Sequence, residues 1–211
     1  MSIYEDISAL LQKGKAKDVA ALVAQALEEG LPAKDILEQG LLSGMNVVGQ
    51  KFKDGEAFVP EVLIAARAMN KGTEVLKPAL VTAGVEACGK VVIGTVKGDL
   101  HDIGKNLVRM MMEGKGFEVI DLGVDVAPET FVQEAINNDA QIIACSALLT
   151  TTMTEMKSVV AAVDAAGIKD KVTVMIGGAP VTQDYCDSIG ADIYTPDAAS
   201  AADAAYNVVA S

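Results

Sequence analysis

The spacing of apolar positions along the chain changes character near residue 85. Before that point it is helical. Val19, Leu22, Val23, Ala26 and Leu27 recur at i, i+3, i+4, i+7 and i+8, the spacing of one helix face, and Gly30 follows as a stop. Pro32 suits a first helical turn, and Ile36, Leu37, Leu41, Met45 and Val48 form the stripe of the next helix. Lys53-Asp54-Gly55-Glu56 reads as a loop, after which Pro60 leads a further stripe of Val62, Ala65, Met69 and Leu76. With a shorter helix over 4–13, the pattern predicts an N-terminal four-helix bundle over residues 1–85. The stretch Ala79–Gly89, with two glycines and no periodicity, reads as a linker.

From residue 90 to 211 short β-branched runs alternate with helical stretches. The runs are Val91–Val96, Glu118–Leu122, Gln141–Cys145, Val172–Ile176 and Asp192–Tyr194. Helices are predicted near 104–115, 128–138, 152–166, 180–189 and 198–209. Strictly alternating strands and helices imply an α/β domain: a flavodoxin-like (Rossmann-like) five-stranded parallel sheet in the order 2-1-3-4-5.

Composition narrows the function classes. Seventeen Lys and Arg against 29 Asp and Glu leave a charge of −12, which disfavours nucleic acid and anionic membrane surfaces as partners. The longest apolar run is six residues, Val19–Ala24, far short of a membrane span. The opening MSIYEDIS carries acids where a signal peptide would carry bases, and Cys88, Cys145 and Cys186 have neither disulfide nor zinc spacing. A soluble cytoplasmic protein is expected.

In a doubly wound sheet, ligands bind beyond the carboxyl ends of the strands. Strand one runs into Lys97-Gly98-Asp99-Leu100-His101-Asp102-Ile103-Gly104-Lys105-Asn106, and strand three into Ser146-Ala147-Leu148-Leu149-Thr150-Thr151-Thr152. Strand four ends in Gly177-Gly178-Ala179-Pro180. The first loop is not a phosphate loop: five residues separate Gly98 from Gly104, Asn106 takes the hydroxyl position, and Asp99 and Asp102 would repel phosphate. A phosphoacceptor site is excluded too, because strand three ends in Cys145-Ser146 where an acid is needed. His101 is the sole histidine. A lone histidine is ordinarily a loop residue, and zinc would need further ligands. A metal held in a tetrapyrrole-like macrocycle needs only one axial protein ligand, and Asp99 is spaced to hold that ligand's other ring nitrogen. Asp99 alone also reads as a turn or N-cap residue.

Asp99-x-His101-x-x-Gly104, Ser146-x-Leu148 and Gly177-Gly178, in this order, resemble the cobalamin-binding module of methionine synthase. They resemble still more the stand-alone corrinoid proteins of methyltransferase systems. The likeness covers essentially the whole chain, since Gly44-Met45-Asn46-Val47-Val48-Gly49, Phe52, Gly55-Glu56 and Phe58-Val59-Pro60-Glu61-Val62 are similar to that family's helical cap domain. The resemblance implies cobalamin, or a related corrinoid, bound with its own base displaced and His101 as the axial ligand of cobalt. It implies a relay through Asp99 to Thr152, where methionine synthase has serine. It implies a slot for the displaced tail, with room at Gly104, Gly177 and Gly178 and hydroxyls at Ser146 and Thr150. The glycines also read as turn residues, and Thr150 as an N-cap. Phe52, Val59 and Val62 match apolar residues that cover the methyl face; by composition alone they also read as core.

The implied function is a corrinoid methyl carrier, with no catalytic residue of its own. Its expected partners are a donor-specific methyltransferase, a second methyltransferase serving tetrahydrofolate or a thiol such as coenzyme M, and a reductive activase. A cobalamin-responsive sensor or regulator is the alternative from another class. A detached module of a mutase or of methionine synthase is a third reading, and the cap motif favours methyl chemistry over the mutase.

Overall fold

The computed structural model describes residues 2–210, so the outer ends of the two expected domains, Met1 and Ser211, lie outside it. The chain forms two compact units that part between Ala87 and Cys88, apart from the turn Gly114–Gly116.

The first unit is helical. Helix α1 spans Ile3–Gln12 and opens on a capping box: the Ser2 hydroxyl accepts from the Glu5 N–H, and the Glu5 carboxylate accepts from the Ser2 N–H at 2.7 Å. Helix α2 spans Ala16–Glu28. The third expected helix is continuous from residue 33 to 53, but not uniform. A first turn, α3 (Ala33–Asp35), runs into a π-helical stretch, Ile36–Leu42, and on into α4 (Ser43–Lys53). In this stretch the Ser43 N–H reaches back five residues to the Glu38 carbonyl. Close packing on α1 accompanies it. A β-carbon at Gly44 would lie 3.1 Å from the Ser8 backbone, and one at Gly40 would lie 3.1 Å from Ile7.

Helix α5 spans Val59–Thr82, and its buried residues Val62, Ala65, Met69, Gly72 and Leu76 form one stripe. This corrects the expected linker from Ala79 to Gly89, since α5 continues through Pro78 to Thr82 and leaves only 83–89 outside regular helix and strand. Pro78 lacks one N–H but its own carbonyl still accepts, taking the Thr82 hydroxyl at 2.9 Å, so the helix tolerates it.

The second unit is a parallel sheet of β1 (Lys90–Thr95), β2 (Glu118–Asp121), β3 (Ile142–Ser146), β4 (Thr173–Gly177) and β5 (Ile193–Tyr194), in the order β2-β1-β3-β4-β5. The crossovers are α6 (Ile103–Glu113), α7 (Pro128–Asn137), α8 (Thr154–Ala165) and α9 (Gln183–Ile189), and α10 (Ala198–Ala210) follows β5. Central strands covered on both faces are apolar nearly throughout, as at Val91, Val92 and Ile93 of β1 and Ile142, Ile143 and Ala144 of β3, all buried. Phe131, Met156, Val159 and Val163 supply the helix side of that core. The registers place Thr95 of β1 beside Ser146 of β3, and Ser146 beside Gly177 of β4. Three of the motif-bearing loops therefore leave the same edge of the sheet.

Candidate functional site

Two loops build the site, one after β1 and one after β3. The chain leaves β1 and turns at Gly98, whose φ of 81° lies in the left-handed region where a β-carbon is strained. Asp99 is thereby directed into the protein, where it is 0% exposed. A buried carboxylate is costly unless every lone pair is used. Here Oδ1 accepts from the His101 N–H at 3.0 Å and lies 2.6 Å from His101 Nδ1. Oδ2 accepts from the N–H groups of Leu148 and Leu149, at 2.8 and 3.2 Å, and from the Thr152 hydroxyl at 2.8 Å. Burial alone would raise the Asp99 carboxyl. The donors from Leu148, His101 and Thr152 outweigh it and hold the group well below the usual carboxylate range. Asp99 is therefore ionised, and its loop is bound to the β3 loop through one side chain.

The consequence falls on His101. Facing an ionised acceptor, Nδ1 carries the proton, and Nε2 is left as the nitrogen with a free lone pair. The ring is 51% exposed. The same two loops, with the first turn of α6, carry apolar side chains with free surface: Leu100 (71% exposed), Ile103 (72%), Leu148 and Leu149. A single oriented imidazole in an apolar setting is a ligand set for one coordination position. Among the described residues no group of three or more His, Cys, Asp or Glu could hold a metal ion. A metal bound here would have to bring its remaining ligands with it.

The structure thus brings Asp99, His101, Leu148 and Thr152 together, Leu148 through its backbone. Leu149, which contributes a second N–H, is not apparent from motif spacing because a backbone donor leaves no mark on residue type. Thr150 is exposed in the turn before α8, and Ser146 ends β3 half-buried with its carbonyl taken by the Val96 N–H. The three glycines differ. A β-carbon at Gly104 would meet nothing within 4 Å, so that position borders open space. At Gly177 the nearest atom would be the Thr195 carbonyl oxygen at 3.7 Å. Gly178 differs from both. Its φ is 136°, and a β-carbon there would lie 1.8 Å from the Ala147 carbonyl oxygen. The protein's own backbone requires that glycine, whatever binds nearby.

The positions of the helical unit differ in exposure as well. Val62, expected among residues that cover a ligand, is 0% exposed and begins the buried stripe of α5. Phe52 and Val59 are half-buried. Phe58, which precedes α5, is 66% exposed and is the larger free apolar surface of that segment; its motif neighbours draw attention to it, but sequence alone does not reveal its exposure.

Other chemistry is closed off. Lys105 is 2% exposed and donates to both Asp121 oxygens, at 2.6 and 2.7 Å, and to Asn106, so it is committed within the protein and has no role as a phosphate ligand. Burial pushes the Cys145 thiol up to about 12, which removes it as a nucleophile. No helix among the described residues is long and apolar enough to cross a membrane.

Comparison with known proteins adds to this geometry. Residues 89–205 match a family model described as a B12 binding domain, and residues 3–77 match a second model of the same description. The chain is 48% identical over 181 residues to trimethylamine corrinoid protein 1 of Methanosarcina acetivorans, covering 84% of each chain. It superposes on the methanol:cobalamin methyltransferase complex of Methanosarcina barkeri with a TM-score of 0.89 at 31% identity, over 99% of this chain and 80% of that one. A cobalamin-binding protein of Desulfitobacterium hafniense gives a TM-score of 0.81 at 30% identity, over 99% and 98%.

Proposed function

We propose that this chain, which belongs to the cobalamin-binding corrinoid proteins of methyltransferase systems, carries methyl groups between a methyltransferase that loads them and a second that removes them. It binds cobalamin or a related corrinoid. The residues present fit such a group. His101 offers one oriented nitrogen, Leu100, Ile103, Leu148 and Leu149 offer exposed apolar surface on the neighbouring loop positions, and Gly104 borders open space. When bound, the corrinoid supplies a cobalt centre that accepts and releases a methyl group.

The protein's own part is ligation and proton placement. His101 Nε2 would hold the cobalt of such a group, while Asp99 keeps the proton on Nδ1 and fixes the ring's direction. Thr152, Leu148 and Leu149 hold Asp99 charged in a buried place, so that it pulls on the imidazole proton and strengthens Nε2 as a donor. A nitrogen held in place in this way would suit a metal that brings its remaining ligands with it. The match of residues 3–77 to a B12 binding model supports a share for the helical unit, with Phe52, Phe58 and Val59 as its apolar candidates. The donor-side partner is a methyltransferase specific for a small methylated compound, as the methylamine and methanol relatives suggest. The acceptor-side enzyme serves tetrahydrofolate or a thiol such as coenzyme M, and a reductive activase restores the cobalt.

The observation that carries this reading is the 2.6 Å contact between Asp99 and His101 Nδ1, which leaves Nε2 free. Paramagnetic resonance of the Co(II) protein, with and without ¹⁵N-histidine, tests it. Labelling should convert a ¹⁴N triplet into a doublet, and His101→Ala should retain corrinoid yet lose the splitting. Splitting that ignores the histidine label would refute the ligation.

A further inference from the structure

The loop that presents His101 is also gripped from a side that the aspartate–threonine set does not reach. Thr95, the last residue of β1, is 0% exposed. The connection between β2 and α7 fixes its backbone: the Thr95 N–H donates to the Gly123 carbonyl at 3.0 Å, and its carbonyl accepts from the Val126 N–H at 3.0 Å. From that fixed place the Thr95 hydroxyl donates to the His101 carbonyl at 2.8 Å. A valine would fill the same volume, so what threonine adds is this bond to the ligand-bearing residue.

The same connection reaches the loop again at Asp125. This residue has φ 55°, a left-handed conformation that costs a non-glycine residue free energy. In that conformation its N–H donates to the Asp99 carbonyl at 3.0 Å, and its Oδ1 accepts from the Gly98 N–H at 2.7 Å. Glycine would adopt the same φ with less strain, and what aspartate adds is the acceptor for Gly98. Three backbone groups between Gly98 and His101 are thus held by Thr95 and Asp125, while the 148–152 loop holds the Asp99 side chain.

The division of labour has a physical reason. The contact between Asp99 and Nδ1 sets the direction in which a half-exposed ring points. It does not set where the ring begins, because that depends on the backbone of His101. Ligand strength depends on position to within fractions of an ångström. We infer that Thr95 and Asp125 are positioning residues for His101, fixing the height and tilt of its ring so that the β2–α7 connection sets how firmly the histidine binds cobalt. This rests on the ligation reading above.

A competition experiment on the full chain, reconstituted with hydroxocobalamin and reduced to Co(II), tests it. ¹⁵N-imidazole is titrated in, and the fraction of cobalt still bound to the ¹⁴N of the protein histidine is read from the triplet-to-doublet change. Thr95→Val and Asp125→Gly should each lower the imidazole midpoint roughly fivefold, the size of one hydrogen bond. Thr95→Ser and Asp125→Asn keep a donor and an acceptor respectively and should stay within about twofold of the parent chain on the same scale. Unchanged midpoints in Thr95→Val and Asp125→Gly would overturn the inference and leave ligation standing. A parent chain with no histidine splitting would overturn both. Asp125 is exposed, so Asp125→Gly decides the matter alone if Thr95→Val does not fold.

Discussion

Replacing Asp99 by asparagine preserves shape and removes charge, which makes it the sharpest test of the site. The carboxylate receives five contacts: the His101 N–H and ring nitrogen on one oxygen, and Leu148, Leu149 and Thr152 on the other. An amide has only one oxygen. If it stays toward Leu148, Leu149 and Thr152, the amide nitrogen faces the His101 N–H and ring. One backbone donor is then stranded at about 1–3 kcal/mol, and the remaining bonds lose their charge assistance. If it turns the other way, two buried N–H groups are stranded, so the first orientation wins. The net destabilisation works out at roughly 3 kcal/mol. In that orientation the amide donates to Nδ1, the imidazole proton moves to Nε2, and the nitrogen facing outward can no longer ligate.

Urea unfolding of the cofactor-free chain measures the first effect, and paramagnetic resonance of the Co(II) protein measures the second. The pH dependence follows from the depressed Asp99 pKa. The stability it contributes is complete above the ordinary value of 3.8 and is lost as pH falls through the lower folded value. Below 3.8 the unfolded chain takes up a proton that the folded one refuses. The gap between parent and variant should therefore narrow below about pH 4. A gap under about 1 kcal/mol, or full histidine ligation in the variant, would refute the account of Asp99 as a charged, saturated anchor.

Thr152→Val should cost about 2 kcal/mol in the same unfolding assay, because it removes a buried hydroxyl donor to a carboxylate, whereas Thr152→Ser should restore most of it. Gly178→Ala should destabilise the chain by at least roughly 2 kcal/mol even without cofactor, since its β-carbon would strike the Ala147 carbonyl; calorimetry showing an unchanged apo Tm would contradict the close approach. Gly104→Ala should leave apo stability equal or slightly higher, by up to about 1 kcal/mol, because the position is open and helical. If that space receives the corrinoid, the same variant should take up less of it at equal concentration, read from visible absorbance after gel filtration.

Periodicity carried most of the architecture. Apolar spacing of 3.6 in the first 85 residues and short β-branched runs afterwards correspond to helices and parallel strands, because burying a stripe or a strand leaves its period in the chain. The strand order followed from rules of crossover handedness that hold for any such alternation. Boundaries were less legible. Pro78 and the glycines after it suggest a break, yet α5 runs on to Thr82, because a proline removes one bond from a helix whose other bonds persist. The π-helical stretch at Ile36–Leu42 has no periodic signature, since it arises where the segment packs closely on α1.

At the site the division is the same. Asp99 and His101 were visible by type and spacing as a ligand with its support, and Thr152 only through the family resemblance. What the chain alone could not show is that Asp99 is fully enclosed, that two leucine N–H groups complete it, and that Thr95 and Asp125 hold the backbone from the other side. Those are backbone positions and conformations, and residue type hardly records them. Gly178 is the clearest case. Its letter is compatible with room for a ligand and with contact against the chain's own carbonyl, and only the approach of the β4 end to Ala147 reveals the second. The burial of Val62 is likewise set by which side of α5 is covered. One-dimensional pattern determined which residues were candidates; three-dimensional packing decided which atoms of them are used.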